Sequence, residues 1–120
     1  MREAAAEIEL AELSQRLGEL PILDVRRPEE FDGTRGAPCD PRQGHIPGAS
    51  NLPVEELIAL DTAAVHVRLG LPPGAELVVY CHVGSRSHVA AQLLRGLGYE
   101  ARNYAGSWHE WSRTELPAET

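Results

Sequence analysis

An α/β fold on a mainly parallel sheet is what this sequence predicts, and two observations carry the prediction. Pro21-Ile22-Leu23-Asp24-Val25 is a short apolar run with the length of a buried strand, Glu76 to Tyr80 is the strongest strand of the chain, and Ala101 to Tyr104 reads as a last strand. Segments with apolar residues at helical spacing lie between them. Alternating strands and helices place helices over the faces of one sheet. Ligands then bind beyond the carboxyl ends of the strands, where Arg26 and Cys81 both fall.

Each element has its own signal. Ile8 opens a short strand or leads into a helix, and Leu10, Leu13 and Leu17 recur at helical spacing before Gly18, a natural stop. After the strand ending at Val25, Pro28-Glu29-Glu30-Phe31 reads as a first helical turn, with Pro at its start and acids at the positive end of the dipole. Residues 32–43 are rich in Gly, Pro, Arg and Asp, the composition of an irregular loop. His45-Ile46-Pro47-Gly48-Ala49 is a turn into an extended piece, Ser50 to Leu52. Pro53 to Leu60 reads as a helix with Leu57 and Leu60 inward, and Val65 to Leu69 fits either a helix or an extended segment. Leu71-Pro72-Pro73-Gly74 is a turn before the strongest strand, Glu76 to Tyr80. A loop from Cys81 to Ser85 precedes a helix to about Leu97, with Val89, Ala90, Leu93, Leu94 and Leu97 on one stripe and Gly98 as its stop. Past the strand ending at Tyr104, a short helix carries Trp108 and Trp111, both expected in the core.

Composition narrows the function classes. With 120 residues the chain fits one domain and one core. Its net charge of −7 makes duplex nucleic acid a poor partner, because binding DNA needs a basic surface. No stretch is apolar enough for a bilayer, and the charged, Ala-rich start, Met1 to Glu7, has no secretory pattern. The expected location is the cytoplasm. The two cysteines, Cys39 and Cys81, are then read as free thiols. Neither Cys39 with His45 nor Cys81 with His82 has the paired short spacing of a zinc site, so no metal is expected.

The loop after Tyr80 carries the chemistry. A cysteine at a strand end, a flexible Gly84 and a helix start let several backbone N–H groups converge on one concavity. Arg86 adds a positive charge at the rim. All of these lower the pKa of a thiol from about 8.5, and the thiolate is the nucleophile. A packed core cysteine is the plain alternative for Cys81, but Gly84, Ser85 and Arg86 crowd a position where a core would want apolar groups. Arg86 as a simply solvated residue conflicts with the dipole, which disfavours cations at a helix start. Ser85 or Ser87 could serve only as helix caps, and His82 and His88 could tune the rim charge or merely be exposed.

The run Tyr80-Cys81-His82-Val83-Gly84-Ser85-Arg86-Ser87, followed by Ala90-Ala91, Leu94, Gly98-Tyr99, Asn103-Tyr104, Gly106 and Trp108, resembles the active half of rhodanese-family domains. Leu23-Asp24-Val25-Arg26, Glu29-Glu30-Phe31 and Gly44-His45-Ile46-Pro47-Gly48-Ala49 with Asn51 and Pro53 agree in order. The resemblance runs from about Ile8 to Trp111 and implies a single three-layer domain over 1–120, its sheet of about five strands flanked by helices, with an insertion at about 32–43 and a tail at about 112–120. It further implies a sulfurtransferase in which Cys81 takes a sulfane sulfur from thiosulfate, or from 3-mercaptopyruvate, and passes it as a persulfide to cyanide, a thiol or a sulfur-carrier protein. Cys81 and Arg86 are then the catalytic residues. His82, Val83, Gly84, Ser85 and Ser87 form the persulfide cradle, Arg26 helps to orient the anionic donor, and Asp24 supports the loop or Arg26. No cofactor is implied, and the expected state is a monomer or weak dimer. The insertion, with Cys39, Arg35 and Arg42, departs from most single-domain relatives and leaves three readings open: a lid, a partner surface, or a loop with no role of its own. A non-enzymatic binding module is one rival, marked in such domains by loss of the cysteine. A cysteine phosphatase is another, but its loop places five residues between Cys and Arg, whereas four separate Cys81 from Arg86.

Overall fold

The computed structural model describes residues 6–120; part of the charged start lies outside them. Four parallel strands form the sheet in the order β2-β1-β3-β4. They are β1 (Ile22–Asp24), β2 (Ser50–Asn51), β3 (Glu76–Tyr80) and β4 (Glu100–Asn103). β3 lies between β1 and β4, with Leu23 opposite Val79 and Leu77 opposite Ala101. The expected fifth strand is reduced to a parallel bridge between Glu7 and Asn103, in which Ile8 N donates to Asn103 O and Asn103 N to Ala6 O.

The alternation along β3 explains why its sequence shows no polar face. Leu77, Val79 and Cys81 point into one apolar cluster, and Val78 and Tyr80 into another. The first cluster is closed by α3 (Val54–Ala59), α4 (Thr62–Leu69) and α5 (Ser85–Gly96), through Leu57, Val65, Ala90, Ala91 and Leu94. The second is closed by α1 (Leu10–Gln15) and α6 (Ser107–Trp111), through Leu13, Trp108 and Trp111. The segment from Val65 to Leu69, readable either way in the sequence, is helical because Asp61 caps it through Ala64 N and Val65 buries inward. Val89, expected on the inward stripe of α5, is 47% exposed; the buried face turns through Ser87, Ala90, Ala91 and Leu94 instead.

The insertion at 32–43 is tied to the rest of the fold. Arg42 donates to the carbonyls of Trp111 and Ser112, Trp108 Nε1 donates to Arg42 O, and Arg113 donates to Cys39 O and to the Asp40 carboxylate. A freely swinging lid would break all of these at once; the insertion is a fastened flap.

At the opposite end of the sheet, Arg102 pairs with Glu12 and Glu76, and Arg16 joins both acids. The hydrogen bond from Arg102 pulls the Glu12 carboxyl from its ordinary 4.5 down to about 2, and Arg16 lowers Glu76 as well. Both carboxyls therefore bind protons more weakly folded than unfolded. Their contribution is complete above the ordinary carboxylate value and fades as pH falls toward about 2. Urea midpoints measured over that window should fall with pH, and should fall less steeply in Glu12→Gln. Parallel slopes in the two proteins would remove the network from the acid response.

Candidate active site

Cys81 follows the last residue of the central strand β3, on the face covered by α5. Its neighbours turn their carbonyls outward because α6 takes them: Trp108 N donates to Cys81 O and His109 N to His82 O, both at 2.9 Å. Ser107 Oγ accepts from Cys81 N at 3.1 Å and donates to Tyr104 O. To do this Ser107 adopts φ +56, a region that non-glycine residues seldom occupy. With the carbonyls engaged there, the amides that follow are free to face the sulfur. Gly84 N donates to Cys81 Sγ at 3.1 Å, Ser87 N at 3.4 Å and Ser87 Oγ at 3.3 Å. No side chain caps α5 in the usual manner, and the sulfur occupies the capping role at the positive end of its dipole.

Cys81 and Ser87 have no exposed surface. Burial is the largest influence on the thiol and opposes ionisation, but the Ser87 hydroxyl, the Ser87 and Gly84 amides and the Arg86 charge together outweigh it. The thiol therefore ionises below its ordinary value. Arg86 is shared: it forms two hydrogen bonds with Glu30, at 2.9 and 3.2 Å. Glu30 in turn accepts from Arg27 N at the start of α2 (Pro28–Phe31). A cleft lined by Arg27, Glu30, Arg35, Gly36, Ala37, Pro38 and His82 opens alongside.

The cradle's shape depends on Gly84. Its φ is +96, and a Cβ there would meet Ala105 O at 2.6 Å. Gly98 has nearly the same φ, +98, and open space around it. Gly98→Ala should cost about 1 kcal/mol in urea unfolding, the backbone penalty alone. Gly84→Ala should cost at least about 1 kcal/mol more and slow alkylation of Cys81. Equal costs for the two substitutions would mean that Ala105 yields.

The other expected site residues divide. Val83 is 57% exposed and Ser85 is exposed, and neither side chain touches Cys81 Sγ by hydrogen bond. The His82 side chain leaves the cradle for Asp40, with Nε2 2.9 Å from Oδ2. Arg26 is a correction. It is 1% exposed, its Nε and Nη2 lie on the Asp24 carboxylate, and Nη2 also donates to Gly44 O at 2.6 Å. It stacks between the Tyr80 and Trp108 rings. A residue so enclosed cannot meet a donor arriving from solvent; it braces the strand ends, as Asp24 does. Sequence reasoning missed Glu30, Ser107 and Asp40, whose partners lie 56, 26 and 73 residues away, beyond any local pattern.

The model of the rhodanese-like domain matches residues 9–114. This chain belongs to the rhodanese-like family. The rhodanese-like domain is 35% identical over 119 residues to a thiosulfate sulfurtransferase of Pseudomonas aeruginosa, covering 89% of this chain and 43% of that protein. Among solved structures, a probable thiosulfate sulfurtransferase is 47% identical with a TM-score of 0.84, covering 96% of this chain and 48% of that one. A human single-domain sulfurtransferase is 37% identical with a TM-score of 0.71, covering 94% of this chain and all of that one. The chain spans less than half the length of the curated relatives it matches. Among the described residues, no helix of this rhodanese-like domain is long and apolar enough to cross a membrane.

Proposed function

We propose that the chain is a cytoplasmic rhodanese-like domain that acts as a sulfurtransferase and carries sulfur as a persulfide on Cys81. The observation that supports this most is the set of three donors, two amides and one hydroxyl, that meet Cys81 Sγ. Such a set stabilises a thiolate, and it would equally stabilise the anionic outer sulfur of a persulfide. Thiosulfate is the donor that best fits the cationic rim made by Arg27 and Arg35.

Thiolate Cys81 attacks the outer sulfur of thiosulfate. The donor S–S bond breaks, sulfite leaves with the electron pair, and Cys81 holds S–S⁻. A thiol, a carrier protein or cyanide then attacks the outer sulfur and releases the thiolate, in ping-pong order. No proton is lost or gained when the acceptor is cyanide, which leaves as thiocyanate. Arg86, shared with Glu30, acts by charge on the sulfur rather than as a proton donor.

Intact mass after incubation with thiosulfate tests the reading. The expected result is a gain of one sulfur atom that cyanide removes. An unchanged mass, with the thiol still open to alkylation, would overturn it. A phosphatase reading is disfavoured because the short interval between Cys81 and Arg86 leaves too few amides for three phosphoryl oxygens. A binding-only module has no use for an activated thiol.

A further inference from the structure

We propose that Cys39, Asp40, His82 and His109 form a zinc site that fastens the 32–43 insertion to the Cys81 loop and to α6. One Sγ, one carboxylate oxygen and two imidazole nitrogens lie within 4.8 Å of one another. The spacing argument from sequence excluded metal because it considered only cysteines and histidines near each other in the chain. These four come from three separate segments that the fold joins.

The second observation is an unsatisfied buried pair. The Asp40 side chain is fully enclosed, and its Oδ1 accepts from Arg113 Nη1 at 2.9 Å. Its Oδ2 makes no hydrogen bond, and neither does His82 Nε2, which is also enclosed. The two atoms are 2.9 Å apart, yet their alignment is not that of a donor and an acceptor. Leaving two such atoms unmatched is costly. A cation between them satisfies both lone pairs. His109 Nδ1 and Cys39 Sγ lie 3.5 and 3.8 Å from Asp40 Oδ1, the other oxygen of that carboxylate, and bring the number of ligand side chains around it to four. Zinc–ligand bonds of about 2.0–2.3 Å place tetrahedral ligand atoms roughly 3.3–3.8 Å apart. Shifts of about 1 Å or less in exposed side chains therefore close the site.

The ligand set selects the ion. A thiolate with two imidazoles and a carboxylate suits zinc and not magnesium or calcium. The charges of thiolate and carboxylate cancel that of Zn²⁺. On binding, Cys39 releases one proton to solvent, and both histidines bind as neutral imidazoles. Arg113 stays outside, holding Asp40 Oδ1 and Cys39 O, the kind of support that orients metal ligands. The peptide link between His82 and His109 is already made through His109 N and His82 O.

The test uses the untagged full chain, stripped with a chelator and titrated with Co²⁺ and then Zn²⁺. Expected are the intense visible bands of tetrahedral cobalt with a thiolate charge-transfer band, at one metal per chain, displaced by zinc. Cys81→Ser should retain them. Cys39→Ser should lose the charge-transfer band, and His109→Gln should weaken zinc by at least about tenfold. Both positions are exposed, so folding is checked by circular dichroism. A wild type without tetrahedral bands overturns the proposal. So does a spectrum that vanishes in Cys81→Ser and persists in Cys39→Ser, which would put the metal on the reactive thiol. None of these readouts depends on sulfur transfer, so either conclusion can fail alone.

Discussion

Cys81→Ser loses sulfur transfer from thiosulfate to cyanide by at least about 10³-fold, or about 4 kcal/mol of barrier. The hydroxyl is smaller than the thiol but leaves an acceptor in the same place, so the Gly84 and Ser87 donors keep a partner. Stability is therefore expected to change little while turnover disappears. A serine cannot carry a second sulfur, because no alkoxide forms near neutral pH and the cradle is built around a softer, larger anion. Steady-state thiocyanate formation and a urea melt on the same preparation check both halves. Retained turnover in a folded Cys81→Ser protein would sink the persulfide reading. Ser87→Ala should give a smaller loss that is partly restored at higher pH, since the Ser87 hydroxyl is the strongest of the contacts that favour the thiolate.

Asp24→Asn has the largest expected effect on stability, about 3–5 kcal/mol. Arg26 is 1% exposed, and its backbone N, Nε and Nη2 all donate to the Asp24 carboxylate. Neutralising the acid leaves a guanidinium enclosed between Tyr80 and Trp108 that has lost the carboxylate charge and one of its acceptor oxygens and faces an NH2 group instead. The reverse comparison isolates the cause. Replacing both partners by apolar residues, as in Asp24→Leu with Arg26→Met, removes the stranded charge and should recover much of the loss. Chemical denaturation of the single and double variants measures this. A single variant within about 1 kcal/mol of wild type would mean that water reaches Arg26.

Much of the site could be read from the chain before any coordinates. The strand ending at Tyr80, the reactive Cys81, the glycine turn and the helix start are contiguous, so local geometry alone brings them together. The same holds for the Pro28 turn and for the aromatic residues Trp108 and Trp111, whose size demands burial. What stayed hidden was pairing across distance. Arg26 was expected to face the donor because it follows a strand carboxyl end, but Asp24 two residues earlier pulls it inward. Arg86 reads as a positive charge at the rim, but its ion-pair partner, Glu30, comes from another element and leaves no local trace. Val89 fits a helical stripe by period, yet the stripe is rotated by the buried Ser87, which turns to the sulfur. Among the described residues, the expected fifth strand comes down to Glu7 meeting the sheet edge before the chain turns into α1.

The sheet order has a kinetic consequence. Its central pairing joins Ile22 to Val78 and Asp24 to Tyr80, so neither partner can rest on a neighbour close in sequence. Cys81 N waits for Ser107 and Cys81 O for Trp108. The donors to the sulfur lie within six residues of it, but the anchors of its loop arrive last, and long-range closure of this kind is slow. A chain truncated before Ser107 therefore keeps the local donors and lacks the partners that hold Cys81 N, Cys81 O and His82 O in place.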